Sequence, residues 1–356
     1  MRVALVTNAI DQPTRGNHTT IQRWIGHVRG VEIVAVPALG DQRLDPVPDV
    51  VHGYHALHGG VAAMELARRL QKPLVVSLGG TDLWACLQGD ALAWEVLDYA
   101  ACVTGAFPAF GEMLSLYFDR DLPYATVPRG VPIPDAAKPR APDGELRVLL
   151  PAGLRPVKDH VLAIGIAERL VARGLPVRLL MLGPEMDRAY AQRVRDRIKP
   201  FPWIRIEERG FDQMAAAYAD ADVVWNTSYH EGGSNALLEA VAHGCAVFAR
   251  DITGNHELLN EPGAPEGLFD PKDVDGAEAY HRRILAETPR DRARRVAKGH
   301  DWLRKLHDPA EEARRLVGRH VAGRVSADGH DAVARPDAAL LCRRAGDDVY
   351  DQQGVP

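Results

Sequence analysis

"LRVLLPAGLRPVKDHVLAIGIAERLVARGLPVRLLMLGPE", residues 146–185, decides the architecture. A short apolar run gives way to a glycine and proline turn, then to a stretch with apolar residues at helical spacing, then to a second apolar run. Strand, helix and strand in that order form a βαβ unit, whose two strands lie parallel with the helix crossing over them. The alternation continues downstream through "IRIEERGF", "FDQMAAAYADA", "DVVWNTS", "SNALLEAVAHG" and "CAVFARDI". Upstream it runs from "RVALVTNAI" through "NHTTIQRWIGHVRG", where Ile21, Trp24, Ile25 and Val28 share one helical face, as far as "YATVPRGVPIP". Residues 132–145, "PIPDAAKPRAPDGE", interrupt it with four prolines and no apolar period, as a linker does. The expected fold class is therefore α/β, with two doubly wound Rossmann-like domains at residues 1–135 and 146–310 facing each other across a cleft. Helices to about residue 325 are expected to return toward the first domain, and residues 326–356 to form a flexible tail.

Composition narrows the function classes. The 356 residues are 46% hydrophobic and 26% charged, enough for sizeable cores. A net charge of −5 with mixed signs throughout offers no basic face for nucleic acid and no polybasic run for a membrane surface. Cys86, Cys102, Cys245 and Cys342 show no CxxC spacing, so a cytoplasmic protein with reduced thiols is expected. A monomer or homodimer acting on small molecules fits this balance.

"EGGSNALLE", residues 231–239, follows a strand and opens a helix. Ser234 or Asn235 can cap that helix, and Gly232 and Gly233 let a ligand approach its exposed N–H groups, which makes an anion seat. Glu231 and Glu239 flank the seat and suit sugar hydroxyls, so a molecule with phosphate in the middle and sugars on either side fits. "GLRPVKD", residues 153–159, brings Arg155 and Lys158 to the carboxyl end of another strand, as cations for a diphosphate. Taken alone, each of these residues also reads as an ordinary turn, helix or loop charge.

Together these motifs resemble the retaining, GT-B-fold glycosyltransferases of glycosyltransferase family 4. The resemblance rests on E-x7-E at Glu231 and Glu239, on Arg155 and Lys158, on "GPE" at 183–185 and on "ITGNHELL" at 252–259. "TRGNHTTIQRW", "LGGTDLW" and "EGGSNALLEAVAHG" look closest to glycosyltransferase-one-domain-containing proteins and selenosugar synthases, over roughly residues 2–310. The resemblance implies that Glu239 binds the ribose of a UDP-sugar, above all UDP-N-acetylglucosamine, and Glu231 the donor sugar. It implies that Arg155 and Lys158 hold the diphosphate, with Gly183, Glu185 and the loop 209–211 near the base. Gly16 and Asn17 would reach over the donor phosphates. The first domain would hold the acceptor, through Thr81, Asp82 and His55.

Asp82 reads either as the carboxylate that orients or deprotonates the acceptor or as a helix cap with Thr81. His52, His55 and His58 suggest either a metal cluster or a pocket lining, and no further ligand completes a metal set. Many relatives place a histidine where Gly79, Gly80 and Thr81 stand here. Asp220 and Asp222, a possible metal-holding pair, precede a strand and read as structural capping, so no metal and no cofactor beyond the UDP-sugar substrate is expected. A selenosugar or thiosugar synthase, a nucleotide-sugar epimerase or hydrolase, and a non-catalytic binding protein remain alternatives.

Overall fold

The computed structural model describes residues 1–8, 16–38, 44–119, 122–135 and 143–327. Residues 136–142 of the expected linker, the end of the loop before Gly16 and the expected tail past residue 327 lie outside the described residues. The chain forms two compact units.

The first unit is built on β1 (Arg2–Thr7), α1 (Gly16–His27, part of this unit from Thr20 onward), β2 (Glu32–Pro37), β3 (Val50–Tyr54), α2 (Val61–Leu70), β4 (Leu74–Ser77), α3 (Thr81–Leu87), α4 (Ala91–Tyr99), β5 (Cys102–Gly105), α5 (Pro108–Phe118) and β6 (Tyr124–Thr126). Its six strands run in the order β2-β1-β3-β4-β5-β6, every adjacent pair parallel. Strands β3, β4 and β5 are buried at every position because helices cover both faces of a parallel sheet, which is why they read as continuous apolar runs.

The second unit contains β7 (Leu146–Pro151), α6 (His160–Ala172), β8 (Val177–Leu182), α7 (Arg188–Ile198), β9 (Ile204–Glu207), α8 (Met214–Asp220), β10 (Val223–Asn226), α9 (Asn235–Ala242), β11 (Ala246–Arg250), α10 (Thr253–Leu259), β12 (Leu268–Phe269), α11 (Val274–Leu285) and α12 (Pro289–Leu306). Its strand order is β12-β11-β10-β7-β8-β9, again all parallel. Leu146, Val148 and Leu150 of β7 share its core with Ala163, Ile164 and Ala167 of α6 and with Trp225, Phe248 and Phe269.

A last helix, α13 (Pro309–Ala327), joins the first unit from Glu312 onward. Leu316 packs with Leu5, Ile21, Trp24, Tyr54 and Val127. Glu312 is buried and receives Arg23 through Nε at 2.6 Å and Nη2 at 3.0 Å, and Trp24 Nε1 at 2.9 Å. Deeper along the helix, His320 Nε2 meets His52 Nδ1 at 3.0 Å, and His52 Nε2 meets Ser77 Oγ at 2.8 Å. Among the described residues no helix is long and apolar enough to cross a membrane.

Two stability predictions follow from this packing. Glu312→Ala leaves Arg23 buried without its counter-ion, a loss that costs about 3–5 kcal/mol, so the first unit should unfold at clearly lower urea than wild type. The second concerns acid. Burial draws His52 well below the ordinary imidazole range and His160, His281 and His320 down to about 4. In the unfolded chain these rings take up protons near pH 6.5, whereas folded His160, His281 and His320 remain neutral to about pH 4 and His52 is held low as well, so the unfolded state binds more protons across that window. Stability is therefore full above about pH 6.5 and declines toward pH 4, by up to about 1.4 kcal/mol per pH unit per ring. Urea midpoints between pH 7 and 4.5 check this, and a flat profile would contradict it.

Candidate functional site

The topology of the second sheet selects the place. Strand β7 has β8 on one side and β10 on the other, so the chain reverses its direction of winding there. Loops leaving the carboxyl ends of such a strand pair diverge and open a crevice. The loop after β7 carries Arg155 and a single 3-10 turn over Pro156–Lys158. Asp159, in the left-handed region at φ 45°, then caps α6 by accepting from Leu162 N at 3.2 Å. The loop after β10 runs from Thr227 to Ser234 and is stitched to the first: Thr227 Oγ1 donates to Lys158 O and Tyr229 N to Val157 O, both at 2.9 Å.

Glu231 sits at the centre. Its Oε1 accepts from Lys158 Nζ at 2.6 Å, Ser228 Oγ at 2.7 Å and Asn226 Nδ2 at 3.1 Å. Among the described residues none donates to Oε2. Burial by itself pushes this carboxyl up, but the Lys158 ammonium beside it, with Ser228 and Asn226, holds it below the usual carboxylate range. The result is an ionised carboxylate with one oxygen saturated and the other available to a ligand hydroxyl.

Asn226 extends the arrangement to the helix start. The same Nδ2 lies 3.1 Å from Ser234 Oγ, and its Oδ1 accepts from Ser228 N at 3.1 Å. Ser234, rather than Asn235, is the cap of α9, accepting from Leu237 N. Gly233 has φ 101°, a conformation that a side chain would strain. Arg129 brings Nε and Nη2 to the Gly232 carbonyl, each at 3.4 Å, and its own carbonyl meets His307 Nδ1 at 2.7 Å. A Cβ on Gly254, in the "ITGNHELL" segment, would collide with the Glu231 carbonyl, so that glycine sets how closely α10 approaches the turn. Asn226, Ser228 and Gly254 were missed as site residues in the sequence. Only a buried asparagine ending a strand hinted at the first.

The remaining donor-side residues are placed as follows. Glu239, on α9, accepts from the buried Tyr218 hydroxyl at 2.7 Å. Gly183 continues the β8 ladder, its N–H donating to Glu207 O at 3.0 Å. With Glu185, Leu154 and Glu207 it lines an open cavity of about 520 Å³. Glu185 pairs with Arg195 at 2.5 Å, and Arg209 forks onto Glu207 at 2.6 and 3.0 Å. Asp222 accepts from Arg147 N at 3.0 Å and from Arg292 Nη1 at 3.2 Å, and Asp220 pairs with Arg147, so both carboxylates serve the strand's amino end.

In the first unit the structure corrects one expectation. Of the two readings given for Asp82, the acceptor-facing one does not match its placement: it is fully buried and accepts from Ala56 N at 2.8 Å, Gly80 N at 2.7 Å and Gly79 N at 2.9 Å. Burial would raise its pKa, yet the neighbouring His55 and these N–H groups hold it low, so it is a poor proton acceptor and instead fastens the loops after β3 and β4. Thr81, at the start of α3, is half-buried and bonds His55 Nε2 at 3.1 Å. His55 Nδ1 accepts from Leu57 N and His58 N, capping a π-helical turn over Ala56–Gly60, and the His55 and His58 rings stack at 4.0 Å. His52 lies inside β3, bonded to Ser77 and His320, so the three histidines do not converge. Among the described residues no group of three or more His, Cys, Asp or Glu side chains is placed to hold a metal ion. Gly16 and Asn17 open α1.

Comparison with known proteins adds the following. Glycosyltransferase 1 domain-containing protein 1 of Xenopus tropicalis is 29% identical over 112 residues, a stretch that spans 31% of this chain and 32% of that relative. HepE of Anabaena, solved with UDP and glucose, superposes with a TM-score of 0.70 at 14% identity, over 89% of this chain and 98% of that one. S. aureus TarM, solved with fondaparinux, alpha-GlcNAc-glycerol and UDP, gives 0.62 at 16% identity, over 76% of this chain and 54% of that one. Those likenesses, with two parallel six-stranded sheets, make the fold GT-B. Residues 145–287 match the family model described as "Glycosyl transferases group 1". The second unit therefore carries a group 1 glycosyltransferase domain.

Proposed function

We propose that this chain is a retaining glycosyltransferase of family 4, nearest the glycosyltransferase-one-domain-containing and selenosugar synthase-like subgroup. It transfers a sugar from a UDP-sugar, with UDP-N-acetylglucosamine as the preferred donor, to a small soluble acceptor in the cytoplasm. The observation that carries this reading is the Glu231 carboxylate: ionised, saturated on Oε1, open on Oε2, and joined through one asparagine amide to the serine that caps α9. The similarity to HepE and TarM, both solved with UDP, supports it.

In this reading the diphosphate rests on the N–H groups of Gly233, Ser234 and Asn235, where the helix dipole favours negative charge. Lys158 and Arg155 supply the remaining positive charge. An ammonium has three N–H donors, so Lys158 can keep Glu231 and still reach a phosphate oxygen. As the bond between the anomeric carbon and UDP breaks, these groups stabilise the charge that builds on the leaving phosphate. Glu231 Oε2 and Glu239 accept hydroxyls of the donor sugar and the ribose, Gly183 and Glu185 border the base, and Gly16 and Asn17 add main-chain donors. The acceptor is held by Thr81 and His55 of the first unit. It attacks from the face that UDP leaves and passes its proton to a β-phosphate oxygen, a role in which Asp82 takes no part. Because cations and a helix terminus already oppose the diphosphate charge, transfer needs no divalent metal.

Two measurements test the proposal. Lys158→Ala should lower the transfer rate by about 10²- to 10³-fold with the fold intact by circular dichroism, whereas a rate within a few fold of wild type would remove Lys158 from catalysis. Excess EDTA should leave the transfer rate unchanged. Activity that disappears with EDTA and returns with Mg²⁺ or Mn²⁺ would show that the diphosphate is held through a metal.

A further inference from the structure

Beside the Lys158–Glu231 pair lies a second cluster that the proposed mechanism does not use. Arg250, the last residue of β11, sets its guanidinium 4.5 Å from the centre of the Tyr229 ring. The same guanidinium reaches Asp159 Oδ2 at 3.4 Å. Burial and, after it, the nearby Asp159 carboxylate raise the pKa of the Tyr229 hydroxyl, so tyrosine, arginine and aspartate form one cluster. The backbone fixes them further, through the Tyr229 N–H on Val157 O and the Asp159 cap on α6. Despite this, Tyr229 remains 47% exposed. A large ring packed against a cation and still about half exposed loses little conformational freedom when a ligand covers it.

The ring is also well placed along the chain. It stands two residues before Glu231, and its N–H is bonded to the residue that precedes Lys158. The apolar C–H face of a pyranose stacks on aromatic rings, while its hydroxyls seek carboxylates. A half-exposed tyrosine ring and an open carboxylate oxygen on one short loop offer both halves of that recognition. We propose that Tyr229, with Arg250 behind it, is the stacking platform for the hexosyl ring of the donor, and so a residue that decides which sugars the site accepts. The proposal rests on the reading of this loop as the UDP-sugar site.

The test compares binding of UDP with binding of UDP-N-acetylglucosamine and UDP-glucose, by calorimetry without acceptor, in wild type, Tyr229→Ala and Tyr229→Phe. In wild type at least one of the two UDP-sugars should bind more tightly than UDP. Tyr229→Ala should reduce that preference by about five- to tenfold while leaving UDP affinity unchanged, which also shows the site to be folded. Tyr229→Phe keeps the ring and should restore the preference. If the preference survives in Tyr229→Ala, or wild type shows none for either sugar, the platform is wrong and the UDP site stands. If wild type binds neither UDP nor a UDP-sugar, the underlying reading of the loop falls with it.

Discussion

A lysine ammonium and a glutamate carboxylate 2.6 Å apart, both largely withdrawn from water, are the constraint on which the functional half of this protein depends. Two such charges are costly to desolvate, and the pair persists because the carboxylate receives two further hydrogen bonds. Those bonds come from Ser228 and Asn226, and all three donors converge on one oxygen. The geometry therefore does more than neutralise charge. It orients the second oxygen and keeps it in the acceptor-only, ionised form that a sugar hydroxyl needs.

The pair also joins two loops of equal length that lie far apart in the sequence. Lys158 is delivered by a single tight turn after β7, and Glu231 by an irregular loop after β10. Side chain and backbone bonds from Thr227 and Tyr229 to the first loop hold the two in register. Asn226 then carries that order to the start of α9, since one amide nitrogen faces both Glu231 and Ser234. In the proposed reaction this couples recognition of the sugar to the seat of the phosphate, so misplacement of one would misplace the other.

Much of this was legible in the sequence because parallel sheets write themselves as continuous apolar runs separated by amphipathic helices. "LRVLLP", "VRLLML" and "DVVWN" could hardly be anything else, and the glycines before Ser234 marked a helix opening at a strand end. What the sequence hid was partnership. Nothing in "LGGTDLW" distinguishes a carboxylate that faces solvent from one that turns inward to collect three main-chain N–H groups, and Asp82 does the latter. Likewise "HGYHALH" looks like a cluster, yet one ring lies within β3, another caps a turn, and the third stacks upon it. The burial of Glu312 against Arg23 was equally silent, since it joins residues nearly three hundred positions apart.

The most direct measurement is a crystal structure of the protein soaked with UDP. The account predicts both phosphates against the amino end of α9, within hydrogen-bond distance of the Ser234 main chain and of the Lys158 ammonium, with Lys158 still touching Glu231. Electron density for the diphosphate at any other place, or at α9 with Lys158 turned away from it, would contradict the central claim.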